Sequence, residues 1–135
     1  MYQDVGNFVT QAGVDVVRIG DAIKVMLEEF QKIAREKVSQ KELDKAKEYM
    51  KGRFTLELED SRNVAGLLAS SDLLEGEVRT PEEIMKEVDK VTVSDIQKTA
   101  QDIFMQNKLN LAIIGPYKDE ARFERLLSLN SNVKT

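Results

Sequence analysis

The sequence contains no cysteine, no histidine and no tryptophan in 135 residues. Without cysteine it has neither disulfides nor a thiolate nucleophile, and without histidine it lacks the imidazole base and the usual zinc, copper and iron ligands. The chemistry left is that of carboxylates, Lys, Tyr, Ser and Thr, each of which needs a pKa-shifting partner or an oxygen-bound metal. We therefore expect this chain by itself to be inactive as an enzyme.

Signals for secretion, membrane insertion and nucleic-acid binding are also missing. Met1–Gly13 has no basic stretch followed by an apolar one, so we expect no signal peptide. No apolar run approaches the ~20 residues that cross a bilayer, so we expect no membrane partner. Twenty Lys and Arg against 24 Asp and Glu leave a net charge of −4, without a basic cluster that would bind nucleic acid. The lack of cysteine fits a reducing compartment and favours the cytoplasm.

Two short stretches have the composition of β-strands. Val5–Gly13 (VGNFVTQAG) contains Phe, Val and Thr between glycines, and Leu109–Gly115 (LNLAIIG) is a short apolar run closed by Gly-Pro. Hydrophobic residues make up 41% of the chain and charged residues 33%, which is enough for one core and a soluble surface. The sequence therefore predicts a folded chain with strands near both ends.

Elsewhere, apolar residues recur every three or four positions, which is the period of an amphipathic helix. Several starts carry a capping box, in which a Ser or Thr oxygen accepts an amide and a Glu or Asp three residues later returns the bond. The stretch after the second start is either one long helix or two helices joined near Asp60–Asn63. The predicted starts are Ile19, Ser39 with Glu42, Thr80 with Pro81 and Glu83, Thr92 with Asp95, and Lys118, whose helix runs to about Leu127.

The predicted order is β-α-α-α-α-β-α, an α+β fold in which the helices pack on one face of a small sheet. Two strands are marginal as a sheet, and their open edges require partners. We therefore predict that residues 1–135 form a single partial domain, a helix-rich piece of a larger lobe. Residues 129–135 are expected to be a frayed tail.

The densest acidic cluster, Glu57, Glu59 and Asp60, is a candidate for a divalent cation held by oxygen ligands. On a helix, however, Glu57 lies four residues after Arg53 and can pair with it, while Glu59 falls on another face. A salt-bridged surface is therefore the favoured interpretation, and the sequence predicts no metal ligand.

Hydroxyl groups offer the other candidates. Serines 61, 70 and 71 would need a lysine as base, and the three tyrosines, Tyr2, Tyr49 and Tyr117, are scattered. The glycines around residues 13–20 fit neither phosphate-binding pattern. We therefore assign no catalytic and no cofactor-binding residue.

Four segments together resemble one family. They are YQDVGNFVTQAG, VSQKELDKAKEYMKGRFTLELEDSRNVA, TPEEIMKEVDKVTVSDIQKTA and LNLAIIGP, in that order from Tyr2 to Pro116. In order and spacing they are similar to the C-terminal portion of a domain from the pitrilysin-type zinc peptidases, which include insulinase and the mitochondrial processing peptidase.

The resemblance implies an α+β lobe with helices on one side of a sheet, and related lobes that pair around a chamber for extended peptides. Members of the family hold zinc with an H-x-x-E-H motif and a distal Glu in another part of the protein, which implies that zinc lies outside this chain. The family also binds substrate through an Arg and a Tyr, and Arg18, Arg53 and Tyr2 do not match those positions. No functional residue is carried over.

We therefore expect a non-catalytic C-terminal fragment of a zinc-dependent processing-type metallopeptidase that forms structure and chamber wall. Its expected partners are the zinc-bearing lobe or subunit, peptide substrate, and a second copy joined through an open sheet edge. The alternatives are an independent helical protein-interaction module without a peptidase role, and a carboxylate-only metal or hydrolytic site.

Overall fold

The structure is a computed structural model that describes residues 6–129. These residues form six α-helices and two short 3-10 turns, Val16–Arg18 and Gln106–Lys108. The helices in chain order are α1 (Ile19–Arg35), α2 (Gln40–Glu57), α3 (Ser61–Glu75), α4 (Pro81–Lys90), α5 (Val93–Ile103) and α6 (Glu120–Leu126).

The described residues divide into two compact units. One, which we call the middle unit, is formed mainly by Val38–Val93 and contains α2, α3 and α4. The other, the split unit, is formed by two separate stretches, Asn7–Lys37 and the chain from Ser94 onward, and contains α1, α6 and nearly all of α5.

Both strong capping boxes are confirmed in the middle unit. The Ser39 hydroxyl accepts the Glu42 amide at 3.2 Å, and the Glu42 carboxylate accepts the Ser39 amide at 3.2 Å. At α4, Thr80 and Glu83 exchange the same bonds at 3.2 and 2.8 Å, with Pro81 at the first helical position. The bonds from the Thr80 amide and hydroxyl lower the pKa of the Glu83 carboxyl. These caps satisfy amides that have no partner within the helix.

The break between α2 and α3 follows from a third cap. Asp60 is extended and its carboxylate accepts the Arg62 amide at 2.8 Å, so a new helix starts at Ser61 and α2 cannot continue through it. Of the two sequence-based alternatives, the structure therefore shows two helices. Helix α3 ends at Gly76, whose φ of 70° lies in the left-handed region that glycine adopts without strain.

The split unit has an apolar core. Its buried members are Ile23 and Leu27 of α1, Phe123 of α6, and Leu129. Partly buried apolar residues surround them, namely Ile19, Phe30, Phe104, Leu109, Ile113, Tyr117 and Leu126. Helices α1 and α6 are thus held together by burial of apolar surface.

The predicted α+β fold is wrong for the described residues. No strand occurs in residues 6–129, so the expected strands at Val5–Gly13 and Leu109–Gly115 are absent in the part that the structure describes, and Val5 lies outside it. A strand needs a ladder of backbone bonds, and none joins residues 6–14 or 110–116 to another described residue. Leu109 and Ile113 pack on the helical core instead, whereas Val9 and Ile114 are exposed, so the apolar composition of these segments specified neither strand pairing nor uniform burial.

Phe8 shows how one of these segments is attached. The rings of Phe30 and Phe104 stack with centroids 4.5 Å apart, and Phe8 meets both edge-on at 5.8 and 5.2 Å. Edge-to-face and offset arrangements of this kind are the favourable ones for aromatic rings. The N-terminal segment therefore rests on α1 and α5 through side chains.

Two further predictions concern the C-terminal end of the chain, namely the last helix and the frayed tail. The last helix is confirmed, as α6, with Asp119 accepting the Arg122 amide at 3.1 Å. Leu129, the first residue of the predicted tail, is buried, and its amide donates to the Gln106 side chain at 2.7 Å. Residues 130–135 lie outside the described part.

Two glutamines of α5 cover the C-terminal end of α1. Gln97 donates to the Arg35 carbonyl and Gln101 to the Ala34 carbonyl, each at 2.9 Å. The last carbonyls of a helix have no partner within it, so these amides satisfy acceptors that would otherwise depend on water.

Replacement of Gln101 by Met should remove one of these bonds while keeping the length of the side chain. We expect the free energy of unfolding to fall by about 1 kcal/mol. Urea denaturation followed by circular dichroism measures it. Lys98→Met, at an exposed position of the same helix, is the control and should change little. Equal losses in both variants would contradict the role of Gln101.

Two glycines should respond oppositely to alanine. A Cβ at Gly115 would overlap the Tyr117 ring, coming 2.9 Å from Cδ2, whereas a Cβ at Gly66 inside α3 meets nothing within 4 Å. We expect Gly115→Ala to destabilise by about 1–3 kcal/mol through overpacking. Gly66→Ala should stabilise by about 0.5–1 kcal/mol because alanine suits a helix interior better. Thermal melts of both variants check this, and destabilisation by Gly66→Ala would show an unrecognised contact at that position.

Candidate functional site

The acidic cluster does not form a cation site. Glu57 pairs with Arg53 at 3.2 Å, and Asp60 is used as the cap of α3. Interaction with Tyr49 and then with Glu57 raises the pKa of the Arg53 guanidinium. No group of three or more acidic side chains that could hold a metal occurs anywhere in residues 6–129. The favoured interpretation from the sequence, a salt-bridged surface, agrees with this geometry.

The serines do not form a nucleophilic site either. Ser71 is buried in the middle unit, and its hydroxyl donates to the Glu77 carbonyl at 2.7 Å. Ser61 begins α3 and Ser70 is exposed. Among the described residues, no lysine hydrogen-bonds to any of the three hydroxyls, so the structure places no base beside them.

The tyrosines are structural or exposed. Tyr117 packs edge-on against Phe123 with centroids 5.2 Å apart, and its hydroxyl donates to the Val16 carbonyl at 3.4 Å. Tyr49 is 65% exposed on α2, and Tyr2 lies outside the described residues. Tyr49 interacts with the Arg53 guanidinium one turn further along α2.

A groove of about 400 Å³ in the split unit is the best candidate for a contact site. It runs between the 109–117 segment and α6. Alternate residues of that segment line it, which is how a chain presents one side to a surface. The apolar part of its lining consists of Leu111, Ile113, Gly115, Tyr117, Phe123 and Leu127.

The polar part of the groove is mainly acidic. It contributes one lysine, Lys118, against three carboxylates, Asp119, Glu120 and Glu124. Asp119 caps α6 and approaches Arg125 at 4.0 Å, whereas no ion pair joins Glu120 or Glu124 to another described residue. These groups can bind and orient a chain by contact and charge, but they lack the pairing that acid–base or nucleophilic chemistry needs.

Sequence reasoning missed this groove. The sequence predicts a strand at Leu109–Gly115, whereas Leu111 is 40% exposed and Ile114 is fully exposed in an irregular segment. The other side of the groove is formed by Phe123 of α6 and by Leu127, the residue that follows this helix. Only tertiary packing brings the two elements together.

The chain is similar to a peptidase family model and to several peptidases. A family model described as the Peptidase M16 inactive domain matches residues 1–50. An uncharacterized zinc protease of Streptomyces coelicolor is 26% identical over 119 residues, covering 88% of this chain and 26% of that protein. The zinc protease YmxG of Bacillus subtilis is 27% identical over 115 residues, with 85% and 28% covered. The alpha-2 subunit of the mitochondrial-processing peptidase of Dictyostelium discoideum is 26% identical over 127 residues, with 94% and 28% covered.

These matches confirm the resemblance drawn from the four sequence segments. The chain spans about a quarter of the length of the curated relatives it matches. The matching family model describes an inactive domain, and this chain contains no histidine and no cysteine. Among residues 6–129, no helix is both long and apolar enough to cross a membrane.

Divalent cations should leave the stability of this chain unchanged. A site that binds the folded state raises the melting temperature by mass action, and no described carboxylate group has the geometry for one. We expect equal melting temperatures with Zn²⁺, Mg²⁺, Ca²⁺ or EDTA in a thermal shift assay. A rise in the melting temperature with a cation would contradict this. If Glu57→Gln abolishes that rise and Glu28→Gln does not, the acidic cluster is a cation site.

Proposed function

We propose that this chain, whose residues 1–50 match the model of the Peptidase M16 inactive domain, is a non-catalytic part of a zinc-dependent processing-type metallopeptidase. It packs against the zinc-bearing lobe or subunit of the same peptidase and contributes to the wall of the chamber in which peptides are cut. The zinc ion and the hydrolytic step belong to that other part.

One observation carries the proposal. A chain without histidine or cysteine is similar over most of its length to proteins named zinc proteases. Proteins bind catalytic zinc through His, Cys and carboxylate side chains, with His present in the common sites. A supporting part of a zinc protease would be similar to such enzymes and still lack the His and Cys side chains that bind zinc.

Exposed apolar residues support a role as a packing partner. In the split unit, Phe8 is 59% exposed, Val9 71% and Ile114 fully exposed, all in irregular segments without backbone bonds to other described residues. Exposed apolar groups beside unpaired backbone favour contact with another polypeptide. The match covers only about a quarter of the length of each relative, so the relatives contain further polypeptide that could cover such a surface.

The groove supports contact with peptides. An apolar floor with Ile113, Tyr117 and Phe123 suits a hydrophobic side chain, and polar residues along it suit a peptide backbone. We propose that this groove faces peptides in the assembled chamber. The cytoplasm remains our proposed compartment, since a chain without cysteine suits reducing conditions.

The predicted association of two copies through a sheet edge is not proposed, because no strand occurs in residues 6–129. A second candidate function is an independent helical protein-interaction module without a peptidase role. The wholly helical character of the regular structure in residues 6–129 favours it. If the chain is such a module, we expect it to form no complex with the remaining part of a zinc protease.

Purified chain supplied with Zn²⁺ should not cleave a quenched fluorescent peptide library above a zinc-only blank, because it has no group to activate water. A commercial zinc peptidase is the positive control for the assay. Cleavage that EDTA abolishes and that co-purifies with the chain would overturn the non-catalytic assignment.

The packing role is tested by complementation. The part of YmxG that lies outside the match is mixed with this chain, and complex formation is measured by size exclusion with light scattering. We expect a complex that Ile114→Asp weakens, because Ile114 is fully exposed and its replacement spares the core. Lys98→Asp is the control for an added carboxylate. Absence of any complex would favour the independent module.

A further inference from the structure

The two units differ in how much apolar surface they bury. In the split unit, five apolar side chains are at least nine-tenths buried, namely Ile23, Leu27, Ala100, Phe123 and Leu129. In the described part of the middle unit only Leu43 and Ser71 reach that level, and Ser71 is polar. Because burial of apolar surface is the main favourable term in folding, the middle unit has far less to hold it closed.

Large apolar residues of the middle unit point to solvent. Tyr49 is 65% exposed, Met50 57%, Leu56 66% and Leu73 80%. All four lie on α2 or α3. These helices therefore keep only narrow apolar stripes in contact with their neighbours.

Charged contacts join α2 to α4 within the middle unit. Lys51 pairs with the Asp89 carboxylate at 2.5 Å, and Lys47, one turn earlier, donates to the Asp89 carbonyl at 2.8 Å. Glu48 lies 3.9 Å from Lys51, and next to Asp89 the Lys90 side chain is paired with Glu87 on the same helix. The hydrogen bond from Lys51 to Asp89 raises the pKa of the Lys51 ammonium. Two cations at the C-terminal turn of α4 are also placed favourably for the helix dipole.

From this difference we propose that the middle unit opens by local unfolding while the split unit stays folded, and that Asp89 with Lys47 and Lys51 is the latch that closes it. Proteins open in cooperative segments whose cost follows buried apolar contact, so the unit with the thin core opens first. Because α2 and α4 meet through exposed charges, the closed form weakens as salt screens them.

The split unit should not share this salt sensitivity. Its long-range hydrogen bonds join uncharged groups. The side-chain amides of Gln31, Gln97, Gln101 and Gln106 donate to main-chain carbonyls, the Tyr117 hydroxyl donates to the Val16 carbonyl, and the Leu129 amide donates to the Gln106 side chain. Hydrogen bonds between neutral groups involve no net charge that salt could screen. Added NaCl weakens an ion pair, but it does not weaken an apolar core in this way. Salt therefore distinguishes the two units within one molecule.

Native-state hydrogen exchange with mass spectrometry tests the proposal on the whole chain. Relative to intrinsic rates, we expect amides of α2 and α4 to exchange faster than those of α1. Asp89→Asn should raise exchange in α2 and α4 by about fivefold or less, the range for an exposed ion pair, and leave α1 unchanged. About 1 M NaCl should act on the wild-type chain in the same direction.

Asp44→Asn is the matched control, since it removes the same charge from α2 where Asp44 only accepts a bond from Gln40. It should leave exchange in α4 unchanged. Equal protection of α1 and α2, or acceleration by Asp89→Asn that is the same in both units, would overturn the proposal. If Asp89→Asn does not fold, the salt series on the wild-type chain decides by the same criterion.

Discussion

The apolar contact between α1 and α6 is the interaction on which the split unit depends. Ile23 and Leu27 meet Phe123 and Leu129, and partly buried apolar residues of the unit pack around these four. The groove exists because Tyr117 and Phe123 hold the irregular segment beside α6. The glutamine bonds to the end of α1 are made by a neighbouring helix of the same unit. A change that separated α1 from α6 would therefore remove the core of this unit, including the side of Phe123 that packs on Ile23 and Leu27.

The functional conclusion rests on what the side chains can do. Glu57 pairs with Arg53, Asp60 caps α3, the buried Ser71 donates to a carbonyl, and the sequence contains no imidazole and no thiol. What the split unit offers is shape, with an open groove and exposed apolar groups in irregular segments. These are the surfaces that the proposed supporting role in a peptidase would use.

Local rules predicted the helices well, because their signals are local. A capping box is complete within four residues, so Ser39 with Glu42 and Thr80 with Glu83 were readable directly from the sequence. Strands are different, since their ladder depends on a distant partner that composition does not specify. Leu109–Gly115 has the apolar residues of a strand but packs on helices through its side chains. The groove could not be predicted from the sequence for the same reason, because Leu111 and Phe123 meet only through tertiary packing.

The split unit is assembled from stretches far apart in the chain. The Gln31 amide reaches the Leu129 carbonyl across 98 positions, and Gln101 reaches Ala34 across 67. Contacts of such long sequence separation are slow to form, and chains fold from the N-terminus as they leave the ribosome. The residues of α1 therefore emerge long before their partners do, while α2, α3 and α4 are already synthesised. During translation, the apolar face of α1 cannot pack on α6 until α6 has been synthesised. A nascent chain of this design most needs a chaperone in that interval.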